Sequence, residues 1–286
     1  MINLNQLEVI VFHDMFKAKI IYLAPILASL LFGMLCAFIL LTSTMEANTI
    51  TPFPENVPGS IGNAFYFVVL VGFGASILYL LVKRRSYKLI TLITGFAFTT
   101  ATFMLSFIYL SAAFSRLYIL YIEIFILVLS LLITILASFV FFRVHNKALT
   151  LMVLCLGGAL GSFLGVSIPT LSVVLILCSL AVYDVFAVYH GPVGKIALDG
   201  LERLRGVSFS FKTIQMGLGD LTFYSMLSSH MLLNFGIISS LASIVGILLG
   251  CLLAFKMLER KGIFPGLPFP ILFGLTAFLL AVPPQL

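Results

Sequence analysis

Long apolar runs, separated by short breaks that contain charges, proline or glycine, dominate this sequence. A helix needs about 20 mostly apolar residues to cross about 30 Å of hydrocarbon. Only 9% of the residues are charged and 62% are hydrophobic, whereas about a quarter are charged in soluble domains. The pattern predicts an all-α, polytopic membrane protein with nine transmembrane helices. The predicted spans are 20–41, 63–82, 89–113, 117–142, 148–165, 170–189, 216–233, 237–255 and 266–283.

The lysines and arginines test this count of spans independently, because basic residues accumulate in cytoplasmic loops. Of the 16 basic residues, all except Arg116 fall in the N-terminal segment or in every second loop after it. A missed or additional span would destroy this alternation. The sequence therefore predicts a cytoplasmic N-terminus and a C-terminus outside the cell.

We expect one integral-membrane domain with two parts. Residues 1–169 form an N-terminal bundle of spans one to five, and residues 170–286 form a catalytic part of spans six to nine with a cytoplasmic loop at 191–215. Glycines recur at four-residue spacing in spans five and eight, which lets helix backbones approach closely in lipid. They are Gly157, Gly161 and Gly165 in span five and Gly246 and Gly250 in span eight.

Two aspartates, Asp184 and Asp220, lie inside apolar runs. A carboxylate near the middle of a bilayer costs roughly 2.5–3.5 kcal/mol on insertion scales, so the chain must use or neutralise both. Asp184 is predicted about 9 Å from the cytoplasmic end of span six, and Asp220 about 12 Å along from Lys212 if that segment is helical. On antiparallel neighbouring spans, these depths would let the two carboxyls face each other.

Two close carboxyls cannot both be ionised in a low-dielectric site, so the pair should share one proton. One carboxyl can then activate a water molecule while the other protonates a departing amide nitrogen. Two other interpretations use the same residues. The aspartates could line a conduit for ions or small solutes, or each could be a polar residue hydrogen-bonded within the bundle.

Three motifs in spans six, seven and nine resemble the presenilin and signal peptide peptidase family of intramembrane aspartyl proteases. They are Tyr183-Asp184, Gly217-Leu218-Gly219-Asp220 (the GxGD type) and Pro265-Gly266-Leu267-Pro268. The resemblance implies that Asp184 and Asp220 are the catalytic pair and that the other motif residues shape the site or bind substrate. The family usually has alanine at the position of Gly266. Taken alone, the two prolines could simply begin a helix.

The predicted orientation of the chain in the membrane distinguishes between the presenilins and the signal peptide peptidases within this family. The loop between spans six and seven is predicted in the cytoplasm, as in presenilins and opposite to signal peptide peptidases. Its short length indicates a compact microbial, archaeal homologue. We therefore expect an intramembrane endopeptidase that hydrolyses peptide bonds within transmembrane segments. A prepilin-type peptidase, which also has a Gly-x-Gly-Asp motif, fits less well because both aspartates lie within spans.

Expected partners follow from the same observations. We expect transmembrane substrates, the lipid bilayer of the cell membrane, and no nucleic acid, because the basic residues mark loops. Nothing in the sequence requires an accessory subunit, and a homo-oligomer is compatible with it. No cofactor or metal is expected, because the four histidines are scattered and the four cysteines lie inside apolar runs.

Overall fold

The computed structural model describes residues 17–44, 49–117, 121–143, 147–190, 208–211 and 214–281. These residues form a nearly all-helical protein with one short antiparallel hairpin. The helices are α1 (Ala24–Thr42, after a 3-10 turn at Ile20–Leu23), α2 (Val57–Lys83), α3 (Tyr87–Phe114), α4 (Ile122–Arg143), α5 (Lys147–Ser167), α6 (Thr170–Tyr189), α7 (Leu218–Lys261) and α8 (Pro268–Ala281); the strands are β1 (Ser208–Phe211) and β2 (Ile214–Gly217).

Membrane spanning is evident from the lengths and apolarity of the helices. Within the described ranges, 7 helices are long and apolar enough to cross a bilayer, and α8 is a shorter apolar helix. Many large apolar side chains, such as Phe65, Phe96 and Ile135, are exposed on the outer faces, where lipid would cover them. The protein is an integral, multi-pass membrane protein, as the sequence predicts.

The longest helix, α7, is broken at Gly236. This residue has φ 86° and ψ 178°, a backbone conformation that essentially only glycine adopts. Beyond the break the chain reverses. A hydrogen bond of 2.8 Å from the Ser240 hydroxyl to the Ser228 carbonyl shows this reversal. In a straight helix, residues 12 positions apart would be about 18 Å apart. The chain thus forms a first arm (218–235) and an antiparallel second arm (237–261), with the break in the predicted turn at 234–236.

Glycines bring the backbones of α5, α7 and α8 together, as the spacing predicted. A Cβ on Gly161 would overlap the Thr222 carbonyl of the first arm. On the second arm, a Cβ on Gly246 would overlap the Phe273 carbonyl of α8. These close approaches fix the helix that carries Asp220 and the helix that follows the Pro265–Pro268 segment.

The core is built around the two arms of α7. Helices α1 and α5 pack against α7 and against each other, and α8 packs along α7. Helix α6 packs mainly against α2 and more lightly against α8, while α3 and α4 pair with each other. The main buried cluster includes Leu30 of α1, Leu177 of α6 and Met226 of α7, so the predicted N-terminal and catalytic parts share one core.

The hairpin before α7 differs from the expectation of a loop at 191–215 followed by a helix from residue 216. Strands β1 and β2 pair antiparallel, with Ser208 opposite Gly217 and Phe211 opposite Ile214. Helix α7 therefore begins two residues later than predicted. The hairpin packs against α5 and α7, which supplies the support that an isolated two-stranded hairpin lacks. The remainder of the loop, 191–207 and 212–213, lies outside the described residues.

Candidate active site

Asp184 lies on α6, close to the end of that helix, and is half-buried. Its Oδ2 atom accepts a hydrogen bond of 2.9 Å from the backbone N–H of Leu267. Leu267 belongs to the non-helical segment that precedes α8, and its amide is not used within that helix. The contact therefore joins the cytoplasmic end of α6, in the predicted orientation, to the start of α8.

Asp220 lies in the first turn of α7. Strand β2 ends at Gly217, which is the N-cap residue of the helix. The distance of about 12 Å from Lys212 is predicted only if the segment is helical, and that condition fails at residues 214–217, which form a strand. At a helix N-terminus the first backbone N–H groups have no partner within the helix and can donate to an acceptor such as a carboxyl.

The Gly266-Leu267 dipeptide lies between the two carboxyls. Leu267 donates to Asp184, and a Cβ added to Gly266 would lie 3.0 Å from Asp220 Oδ2. Both carboxyls therefore approach the same dipeptide. The structure therefore brings the three sequence motifs together around one dipeptide.

The remaining motif residues lie around the two aspartates. Tyr183 faces α2, since a Cβ on Gly72 would lie 3.4 Å from its hydroxyl. Leu218 packs towards Gly157 of α5, and Gly219 is exposed. Pro268 is the first residue of α8. Tyr183 and Leu218 thus contact helices that surround the pair of aspartates.

A hydrogen bond from α7 also fixes the position of the Pro265–Pro268 segment. The Tyr224 hydroxyl donates a hydrogen bond of 2.8 Å to the Gly266 carbonyl, and the tyrosine is 2% exposed. Tyr224 lies four residues after Asp220, on the same helix face. Sequence reasoning missed this residue although its spacing from Asp220 was visible.

Cys251, on the second arm of α7, is adjacent to Tyr224 and interacts with it through its thiol. In the sequence it is one of four cysteines inside apolar runs, and in the structure it is 1% exposed. Its place beside the site depends on how the two arms pack against each other after the reversal at Gly236, and the pattern of spans does not specify that packing.

The arrangement suits proton transfer at a bound peptide group. Among the described residues, no group of three or more His, Cys, Asp or Glu side chains could hold a metal ion. Two carboxyls that can share a proton can supply both a base for water and an acid for the leaving group. The Leu267 amide restricts the position of one of them.

Comparisons with known proteins give one family and a set of similar folds. The family model described as signal-peptide peptidase, presenilin aspartyl protease matches residues 27–198. This range contains Asp184, whereas Asp220 and the Pro265–Pro268 segment lie beyond it. No match was found among curated proteins.

Two solved structures of a presenilin family intramembrane aspartate protease, in the C222 and P2 space groups, have a similar fold. Both are 20% identical to this chain and cover 91% of it. The C222 structure has a TM-score of 0.65 with 97% of its own chain covered, and the P2 structure has 0.64 with 96%.

Proposed function

This chain belongs to the signal-peptide peptidase and presenilin family of aspartyl proteases, and we propose that Asp184 and Asp220 form its catalytic pair. The protein is an intramembrane aspartyl protease. The observation that carries the residue assignment is the convergence of both carboxyls on Gly266-Leu267, with a hydrogen bond to Asp184 on one side and the close approach of Asp220 on the other.

In the proposed mechanism, one carboxylate removes a proton from a water molecule as the water oxygen attacks the scissile carbonyl carbon. The other carboxyl, which holds the shared proton, donates it to the carbonyl oxygen, giving a tetrahedral intermediate. Collapse of this intermediate breaks the C–N bond. The second carboxylate takes a proton from one hydroxyl of the intermediate, and the amide nitrogen takes the proton that the first carboxyl received. Both carboxyls then return to the state with one shared proton.

The proposed substrates are transmembrane segments of other proteins. An amide within a helix is hydrogen-bonded and shielded, so the substrate must unwind locally and become extended. Strand β2 leads directly to Asp220, and an extended peptide can add to the edge of such a hairpin through main-chain hydrogen bonds. The absence of side chains at Gly217 and Gly219 leaves room for this approach, and the Pro265–Pro268 segment would border it.

We propose nine spans, counting α1 to α6, the two arms of α7, and α8. The basic loops then place the N-terminus, the β1–β2 hairpin and the aspartates towards the cytoplasm, with the C-terminus outside. Residues 170–286 carry the catalytic groups, and residues 1–169 support them through the shared core. We propose that the protein acts in the cell membrane without accessory subunits, whether as a monomer or as a homo-oligomer.

Reconstituted cleavage tests the proposed function. The purified protein is placed in liposomes with a single-span substrate, and the products are analysed by mass spectrometry. Two new fragments that meet within the transmembrane segment are expected. Liposome flux of ions or small solutes that requires the aspartates, with no cleavage of a panel of single-span substrates, would instead support a conduit and contradict the proposal.

A further inference from the structure

A cavity of about 100 Å³ lies directly beside Asp220. It is partly open and lies between the end of β2, both arms of α7, and the segment that precedes α8. The lining residues are Gln215, Met216, Asp220, Tyr224, Cys251, Ala254, Phe255, Leu258, Phe264, Pro265 and Gly266. Asp184 is not among them.

The lining of the cavity is mostly apolar. Apolar residues, including Met216, Ala254 and Phe264, form much of it, and Gln215, Asp220 and Tyr224 are its polar residues. The Tyr224 hydroxyl already donates its proton to the Gly266 carbonyl. A mostly apolar pocket with a few polar groups is typical of a site that binds an apolar group and orients it.

The size of the cavity restricts its occupant. Its volume of about 100 Å³ is several times the roughly 10–15 Å³ that one water molecule needs on this measure, so the cavity can hold a group such as one branched aliphatic side chain. A second helix would be far too large. Because Asp220 forms part of the wall, an occupant of the cavity lies next to the bond that Asp220 would help to cleave.

We propose that this cavity binds one medium-sized apolar side chain of the substrate, such as valine, leucine or isoleucine, next to the scissile bond on the side towards the β1–β2 hairpin. This inference rests on the proposed protease function. The cavity thereby makes cleavage selective at that one substrate position, and Ala254 limits the size that is accepted. Ala254 is 7% exposed and lies one turn after Cys251 on the second arm.

The test uses two substitutions with opposite expected effects. Ala254→Leu fills the cavity and should favour a substrate with alanine at the selected position over one with leucine. Ala254→Gly enlarges it and should favour phenylalanine over valine. Relative to the unmodified enzyme, each ratio of kcat/KM should change by about tenfold, within the range that one apolar pocket can discriminate. A ratio between substrates is insensitive to a uniform loss of folded protein.

Val245→Leu is the matched control, because Val245 is on the same arm, is 56% exposed and is remote from the cavity. It should leave both ratios unchanged. If the unmodified protein cleaves the substrates but neither Ala254 variant changes the ratios, the pocket assignment is wrong and the protease function stands. If the unmodified protein cleaves none of them, the protease function fails and the pocket assignment fails with it.

Discussion

The Asp184 carboxyl accepts a hydrogen bond of 2.9 Å from the Leu267 backbone amide. This contact connects α6 to a segment that follows it by more than 80 residues. It explains how an aspartate on a helix that packs lightly against α7 can remain close to Asp220. In the proposed enzyme, the geometry of the pair therefore depends on the Pro265–Pro268 segment as much as on the helices that carry the carboxyls.

Removal of the Tyr224 hydroxyl should disturb this segment without removing any reacting group. Tyr224→Phe deletes the hydrogen bond to the Gly266 carbonyl, a neutral bond worth roughly 0.5–1.5 kcal/mol. We expect kcat to fall by about tenfold, because small misplacements at a reacting centre are costly, while KM changes little. Tyr66→Phe, at a residue that is 45% exposed on α2, is the control. An unchanged kcat in Tyr224→Phe would show that the hydrogen bond has no positioning role.

Gly266 allows the close approach of Asp220 to the segment. In Gly266→Ala the new Cβ would lie 3.0 Å from Asp220 Oδ2, so the carboxyl or the segment must shift by a few tenths of an ångström. We expect a several-fold lower kcat, measured with the single-span substrate. Gly74→Ala is the matched control, because a Cβ there has no atom within 4 Å. Equal kinetics in the two variants would contradict this account of Gly266.

The reversal of α7 should depend on Gly236. Its φ of 86° with ψ of 178° is strained for any residue with a Cβ, at a cost of about 1–3 kcal/mol. Gly236→Ala should therefore lower the thermal unfolding midpoint in detergent, although the added Cβ meets no neighbouring atom. A midpoint equal to that of Gly74→Ala would argue against the strained turn.

Metal chelation should leave cleavage unchanged. In the proposed mechanism the two carboxyls perform every proton transfer, and the intermediate forms without a Lewis acid. Cleavage rates measured before and after dialysis against EDTA are expected to agree. If activity were lost and added Zn²⁺ restored it, the enzyme would need a metal ion that the proposed mechanism does not include.

The sequence predicted a nearly all-helical, multi-pass membrane protein because long apolar runs are strong local signals. It predicted that Asp184 and Asp220 face each other from their places in neighbouring spans, whereas Gly266 was assigned to the site through the resemblance of its motif to the presenilin family. The β1–β2 hairpin was missed, although Ser208-Phe209-Ser210-Phe211 alternates with the two-residue period of a strand. Four residues are too few to specify a strand alone, and the hairpin depends on packing against α5. Cys251 could not be assigned to the site, because its position results from the fold of two arms separated by Gly236.

The central claim is that Asp184 and Asp220 act together at the scissile bond. It is tested most directly by the cleavage rate of a single-span substrate in liposomes with Asp184→Asn and with Asp220→Asn, which replace each carboxyl by an amide of nearly the same shape. Glu123→Gln, at an acidic residue in the first turn of α4, is the matched control. The account predicts that each aspartate variant loses detectable cleavage and that the control retains it. Undiminished cleavage in either aspartate variant would contradict the assignment of the pair.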